Sequence, residues 1–139
     1  MLEQSNIFNA KTQNRQDAEK IENTLAALIV DAAIEEHRTL GGPGLLEGLY
    51  EEALYHEPVQ AQVHIPVTYK GSILRHPMRL DLLVDNKVII EVKATEQEHV
   101  VHKAQVLTYL RLTKLKLGLL INFGQKFLGD GIERVVNGL

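Results

Sequence analysis

Arg79 to Lys93 reads RLDLLVDNKVIIEVK: two apolar runs of strand length, Leu80 to Val84 and Val88 to Val92, joined by a polar Asp85-Asn86 step. The two runs and the turn signal between them predict a β-hairpin. Asp81 stands in the first run and a Glu91-x-Lys93 triplet in the second. An ionised group taken out of water costs several kcal/mol unless it is paired, hydrogen-bonded or bound to a metal. Charge spent inside strands that read as buried therefore marks a site.

Register decides whether these residues meet. Glu91 and Lys93 are two apart and share one face of their strand. A strict two-residue loop at Asp85-Asn86 pairs Val84 with Lys87 and Asp81 with Ile90, which leaves Asp81 and Glu91 on opposite faces. A joint site requires a three-residue turn or a bulge, either of which brings Asp81 opposite Glu91.

Two carboxylates a few ångströms apart repel each other unless a cation lies between them. Cysteine is absent, so disulfides, thiolate zinc sites and cysteine nucleophiles are excluded together. Hard oxygen donors favour Mg²⁺ or Mn²⁺, and such an ion polarises a phosphoryl oxygen while Lys93 steadies developing negative charge. The alternative is a purely structural pairing of Asp81 with Lys93 or of Glu91 with Arg79.

Outward from this hairpin the chain reads as alternating helices and strands. Residues 1 to 14 show no periodicity and are expected to form a loose arm, with residues 15 to 139 making one domain. Ile21, Leu25, Leu28, Ile29, Ala32 and Ala33 recur at three and four, predicting an amphipathic helix from about Gln16 to Ala18 through Arg38. Gly41-Gly42-Pro43-Gly44 stops it, and a second helix is expected over Leu45 to His56, ahead of Pro58. Gln60 to Tyr69 alternates as a half-buried strand, with Val63, Ile65, Val67 and Tyr69 on one face and a turn at Gly71-Ser72. A helix follows over Val100 to Thr113, with Val101, Ala104, Leu107, Leu110 and Leu112 inward, then strands at Leu117 to Phe123 and Ile132 to Val136. The order implies an α/β (α+β) fold in which a mixed β-sheet is flanked by helices.

The helices add polar candidates. His102, Gln105 and Tyr109 share a stripe that suits either a phosphate-orienting surface or a half-buried boundary. His99 and His102 at i, i+3 are a weak zinc signal without a third ligand. Glu47 and Tyr50 follow the Gly-Pro-Gly turn; Glu47 reaches toward the metal site or simply complements the helix dipole.

The net charge of -3 argues against nonspecific coating of nucleic acid. Its distribution is uneven, with eleven acids against four bases in residues 1 to 58. From His99 to Gly129 there are five bases, among them Lys103, Arg111, Lys114 and Lys116, and no acid. That tract is either a polyanion-facing surface or a solvated helix face. The polar N-terminus lacks the apolar core of a secretory signal and no run approaches the length of a membrane span, so a cytoplasmic location is expected.

Taken together, Asp81 and Glu91-Val92-Lys93 resemble the core signature of the PD-(D/E)XK nuclease superfamily, with Leu80 where that signature has proline. Gln105-x-x-x-Tyr109 is similar to the QxxxY element of its exonuclease-like branch, and Gly44-Leu-Leu-Glu47-Gly-Leu-Tyr50 matches the GxxExxY motif of a small bacterial family within it. The similarity runs from about Ala33 to Val136, and the segment between Glu52-Ala53-Leu54 and Val67 to Gly71 is shorter than in that family. The resemblance implies a restriction-endonuclease-like core with Asp81 and Glu91 as ligands of Mg²⁺ or Mn²⁺. Val92 would offer its backbone carbonyl and Glu47 a further acid. Lys93 would be the catalytic lysine, supported by Gln105 and Tyr109. The implied activity is hydrolysis of DNA phosphodiester bonds, with Lys103, Arg111, Lys114 and Lys116 contacting nucleic acid. The alternative is a nucleic-acid-binding or assembly module, partner-dependent or homo-oligomeric, that retains the fold without turnover.

Overall fold

A computed structural model of the 139-residue chain describes residues 2–40, 59–96, 100–126 and 128–139, with side chains of the first helix from Ile21 onward. The elements are α1 (Leu2–Leu40), β1 (Gln60–Ile65), β2 (Thr68–Tyr69), β3 (Ser72–Ile73), β4 (Met78–Val84), β5 (Val88–Lys93), α2 (Val100–Thr113), β6 (Leu117–Asn122) and β7 (Ile132–Val136). A 3₁₀ turn at Leu128–Gly131 leads into β7. The second helix expected over Leu45 to His56 lies outside the described residues, as do Glu47, Tyr50 and His99.

Among the described residues five strands form one mixed sheet in the order β1-β4-β5-β6-β7, and β2 and β3 form a separate two-stranded ribbon. β5 and β6 are parallel and the other neighbours antiparallel. Parallel neighbours need a crossover, and α2 supplies it. All six residues of β6 are buried, as are the first five of β5, which is why both read as continuous apolar runs rather than alternating ones.

The core has two layers, one on each face of the sheet. On one face Ala26, Ile29 and Ala33 of α1 meet Leu82, Val84, Ile90, Val92, Leu119 and Ile121. On the other, Val106 and Leu110 of α2 meet Met78, Leu80, Leu83, Ile89 and Leu120. Each fully buried aliphatic side chain contributes about 1.5–3 kcal/mol relative to exposure. Arg134 of β7 donates a hydrogen bond to the Asn23 side chain of α1, tying the long helix to the sheet edge.

Several expectations are corrected. Helical backbone begins at Leu2 rather than near Gln16, so the segment expected to be a loose arm is helix. The first 40 residues contain neither Gly nor Pro, and extending an existing helix costs far less than nucleating one. The buried stripe of α1 is Glu22, Ala26, Ile29, Ala33 and His37, whereas Ile21 and Leu28 are exposed. Small side chains at Ala26 and Ala33 let the helix lie close to the sheet, which favours this stripe over the bulkier one.

The strand expected over Gln60 to Tyr69 breaks after Ile65. Pro66 accounts for the break because it has no N–H to give a ladder. In α2 Leu110 is buried as expected, but Val106 is buried with it, and Val101, Ala104 and Leu112 are exposed. Gly118 on β6 explains this rotation: a Cβ there would stand 2.5 Å from Val106 Cγ1, so the helix seats Val106 where the strand has no side chain.

Candidate active site

The β4–β5 connection decides the site. Val84 pairs with Val88, Leu83 with Ile89 and Leu82 with Ile90, leaving Asp85, Asn86 and Lys87 as a three-residue turn. The Lys87 N–H donates to the Val84 carbonyl at 2.9 Å. Asp85 and Asn86 both adopt positive φ, 51° and 54°, a conformation their short polar side chains tolerate better than most. One further step of this register brings Asp81 opposite Glu91, on the face covered by α2.

At that step the carboxylates replace the backbone ladder. The Val92 N–H donates to Asp81 Oδ2 at 3.0 Å, and the Asp81 N–H donates to Glu91 Oε1 at 3.4 Å. The inward-outward alternation of β4 also breaks here: Leu80 packs on the α2 face with Leu83, but Leu82 packs on the α1 face. Gln62, the residue of β1 that the register sets against Asp81, has φ 54° and interrupts its own strand at the same level. Both carboxylates are buried, Asp81 at 5% and Glu91 at 4% exposure.

Burial and then the neighbouring Asp81 charge push the Glu91 carboxyl up to about 8, with Lys93 opposing the rise. Lys93 Nζ is 3.9 Å from Glu91 Oε2, and the Arg79 guanidinium is 3.9 Å from Asp81 Oδ1. Both distances lie beyond direct hydrogen bonds. The pairings that form are therefore loose and differ from the Asp81–Lys93 and Glu91–Arg79 pairs of the structural alternative. Buried negative charge here is only partly compensated by the protein.

α2 borders the site. Gln105 Nε2 donates to Tyr109 Oη at 2.7 Å. Burial and then the Glu91 charge raise the Tyr109 pKa, which ties the phenol electrostatically to the carboxylate pair. Lys93 lines a cleft of about 420 Å³ together with His102, Lys103, Leu120, Asn122 and Glu133. Of the four basic residues expected to contact nucleic acid, Lys103 lies at this cleft. Arg111 is eight residues along α2, about 12 Å away at 1.5 Å per residue, and Lys114 and Lys116 follow beyond the helix.

Asn122 and Glu133 are site-lining residues that the sequence reading missed. Asn122 is buried, and its Oδ1 accepts from the Thr95 and Gly124 N–H groups, each at 3.0 Å. It thereby fixes the backbone that leaves Lys93. A polar residue inside an apolar run, two positions before a glycine, is the signal that would have singled it out. Glu133 enters only through register, opposite Leu120, which is itself opposite Glu91.

The donor set suits a hard divalent cation. Asp81 and Glu91 offer carboxylate oxygens at a position where buried charge is under-compensated, and no group of three or more His, Cys, Asp or Glu gathers among the described residues. A cation held by two carboxylates keeps water in its remaining positions, the mode that Mg²⁺ favours.

The mixed sheet with a helix on each face and its two-carboxylate step define a restriction-endonuclease-like domain. Over residues 23–135 the chain matches the family model of the PD-(D/E)XK nuclease superfamily, and it belongs to that superfamily. Searches of the curated proteins and of the solved structures found no match. No helix among the described residues is long and apolar enough to cross a membrane.

Proposed function

We propose that the protein is a Mg²⁺- or Mn²⁺-dependent nuclease that hydrolyses DNA phosphodiester bonds, within the GxxExxY group of the superfamily. The observation that carries this reading is the pair of buried carboxylates, Asp81 and Glu91, turned toward each other with Lys93 beside them.

In this reading Asp81 and Glu91 hold the cation, with the Val92 carbonyl and Glu47 as further donors. The cation supplies Lewis acidity toward a phosphoryl oxygen. Lys93 reaches the cleft with its ammonium group and stabilises the negative charge that builds on the phosphoryl oxygens as water adds to phosphorus and one P–O ester bond breaks. Gln105 and Tyr109 orient the phosphate through their hydrogen-bonded pair, and Lys103 draws the backbone into the cleft.

The test incubates purified protein with single-stranded, duplex and branched DNA and with RNA, in Mg²⁺ or Mn²⁺, beside Asp81→Asn and Lys93→Ala. Cleavage that falls at least about a hundredfold in both variants supports the mechanism. Undiminished cleavage in both rejects it. Binding without cleavage by the wild type identifies a nucleic-acid-binding module instead.

A further inference from the structure

The β2–β3 ribbon has no part in the chemistry above, yet its sequence and placement are unusual. Thr68 pairs with Ile73 and Tyr69 with Ser72 around a two-residue Lys70-Gly71 loop, both at positive φ, 49° and 79°. The Leu74 N–H donates to the Val67 carbonyl at 2.8 Å, so the pairing continues one step toward the sheet. By parity Val67, Tyr69 and Leu74 share one face of the ribbon. Val67 packs into the core layer under α2, the layer that borders the Asp81–Glu91 site.

Beyond Val67 that face is exposed among the described residues. Tyr69 is 60% exposed, Leu74 44%, and Ile73 on the opposite face 73%. Exposed aromatic and aliphatic side chains at the tip of a ribbon cost solubility unless something binds them.

Charge says what binds. From Pro58 to Leu80 the chain contains no acid, while Lys70, Arg75 and Arg79 are basic. The Lys70 ammonium lies over one face of the Tyr69 ring, 5.4 Å from its centroid, so a phosphate-seeking group and an aromatic ring sit together at the tip of the ribbon. A second copy docking through this same patch would bring like charges together. A single nucleic-acid strand offers both complements, phosphates for the cations and π-faces for the ring.

Position supports the same partner. The β1–β4 ladder ends at Ile65 opposite Met78, so the ribbon extends from that end of the sheet, with Asp81 only three residues inside β4. At about 3.3 Å per residue this is roughly 10 Å. β5 runs antiparallel to β4, so Lys93 and the cleft lie at the same end.

We infer that the β2–β3 ribbon is a single-strand platform, on which Tyr69 stacks against an unpaired base while Lys70 and Arg75 hold the adjoining phosphates, feeding one strand toward Asp81 and Glu91. The inference rests on the nuclease reading and adds to it a preference for unpaired DNA.

The test measures fluorescence anisotropy of a labelled single strand, and of the same sequence as a blunt duplex, titrated with the full chain in EDTA so that nothing is cleaved. Tyr69→Ala is expected to weaken single-strand binding about five- to hundredfold, with duplex binding and Tyr69→Phe each within about twofold of wild type. Tyr69 is exposed, so the melting temperature of Tyr69→Ala should match wild type and exclude misfolding. Wild-type single-strand affinity in Tyr69→Ala, or equal losses on both probes, overturns the platform alone. Failure of the wild type to bind either probe overturns the DNA reading and the platform with it.

Discussion

Asp81 and Glu91 stand opposite each other one step beyond the last β4–β5 pair, each carboxylate bonded to the facing backbone: Asp81 Oδ2 accepts from the Val92 N–H, and Glu91 Oε1 accepts from the Asp81 N–H. Each carboxylate is thus fixed by backbone, not by a flexible cation, and the two are held close at the cost of mutual repulsion. Such pre-organisation suits a site that binds a cation without having to reorder.

Burial of Glu91, and after it the repulsion from Asp81, makes the stability of the metal-free protein depend on pH. The Glu91 carboxyl is raised from 4.5 to about 8. Below 4.5 it is protonated in folded and unfolded chains alike; between 4.5 and 8 only the folded chain keeps the proton, so stability falls as pH rises through that window. Thermal melting in EDTA across pH 5 to 8 should show this decline, and Glu91→Gln should flatten it. A wild-type profile that rises with pH would contradict the buried, protonated state.

Cation binding must displace the same proton. Mn²⁺ affinity should therefore strengthen about tenfold per pH unit up to about 8 and level off above it. Calorimetric titrations in buffers of different ionisation enthalpy would detect the released proton. Affinity independent of pH would place the cation elsewhere.

Asp81 has a structural role besides its charge. Asp81→Ala leaves the Val92 N–H buried without an acceptor and should cost about 1–3 kcal/mol in urea denaturation, whereas Asp81→Asn keeps an acceptor oxygen and should cost less. Equal losses would show that the hydrogen bond contributes little.

Gly124 is needed for close approach. A Cβ there would stand 2.3 Å from the Thr95 carbonyl oxygen, whereas one on Gly129 would meet nothing within 4 Å. Gly124→Ala should destabilise by about 1–3 kcal/mol and displace the segment that follows Lys93, while Gly129→Ala should be nearly neutral. Matching melting temperatures for the two variants would refute the close contact.

Gly118 and Val106 should be coupled. Gly118→Ala drives its new methyl into Val106 Cγ1, and Val106→Ala removes that methyl's obstacle. A double-mutant cycle should return a coupling of about 0.5–3 kcal/mol, with the pair less destabilised than the sum of the singles. Additive losses would mean that α2 shifts freely on β6.

The meeting of Asp81 and Glu91 on the hairpin was legible because charge in apolar runs has few explanations and strand parity limits how the two can face each other. The α2 boundaries and the β7 boundaries were legible too, from periodicity and from the turn residues around them. The inward face of α2 was legible only in part. Leu110 and the half-buried Leu107 face the core as expected, but Val106 takes the place expected for Val101 and Ala104, because the missing side chain at Gly118, on another element, makes room for it. In α1 the sequence placed Ile29 and Ala33 inward correctly but missed Ala26, which counts for little in a hydrophobicity pattern yet allows close packing, and placed the exposed Ile21 and Leu28 inward.

By itself the sequence determined the hairpin, its two carboxylates and lysine, and the condition for their meeting: strand parity permits only an odd turn or a bulge. Tertiary structure decided which residues complete the site. The three-residue turn sets the register, the break opposite Gln62 lets Leu80 stay in the core while Asp81 faces Glu91, and the packing of α2 on Gly118 brings Tyr109 within the field of Glu91. Parity is a property of one strand and can be read along it. Which helix face meets which strand depends on steric fit between segments distant in sequence, and that becomes definite only when both are packed.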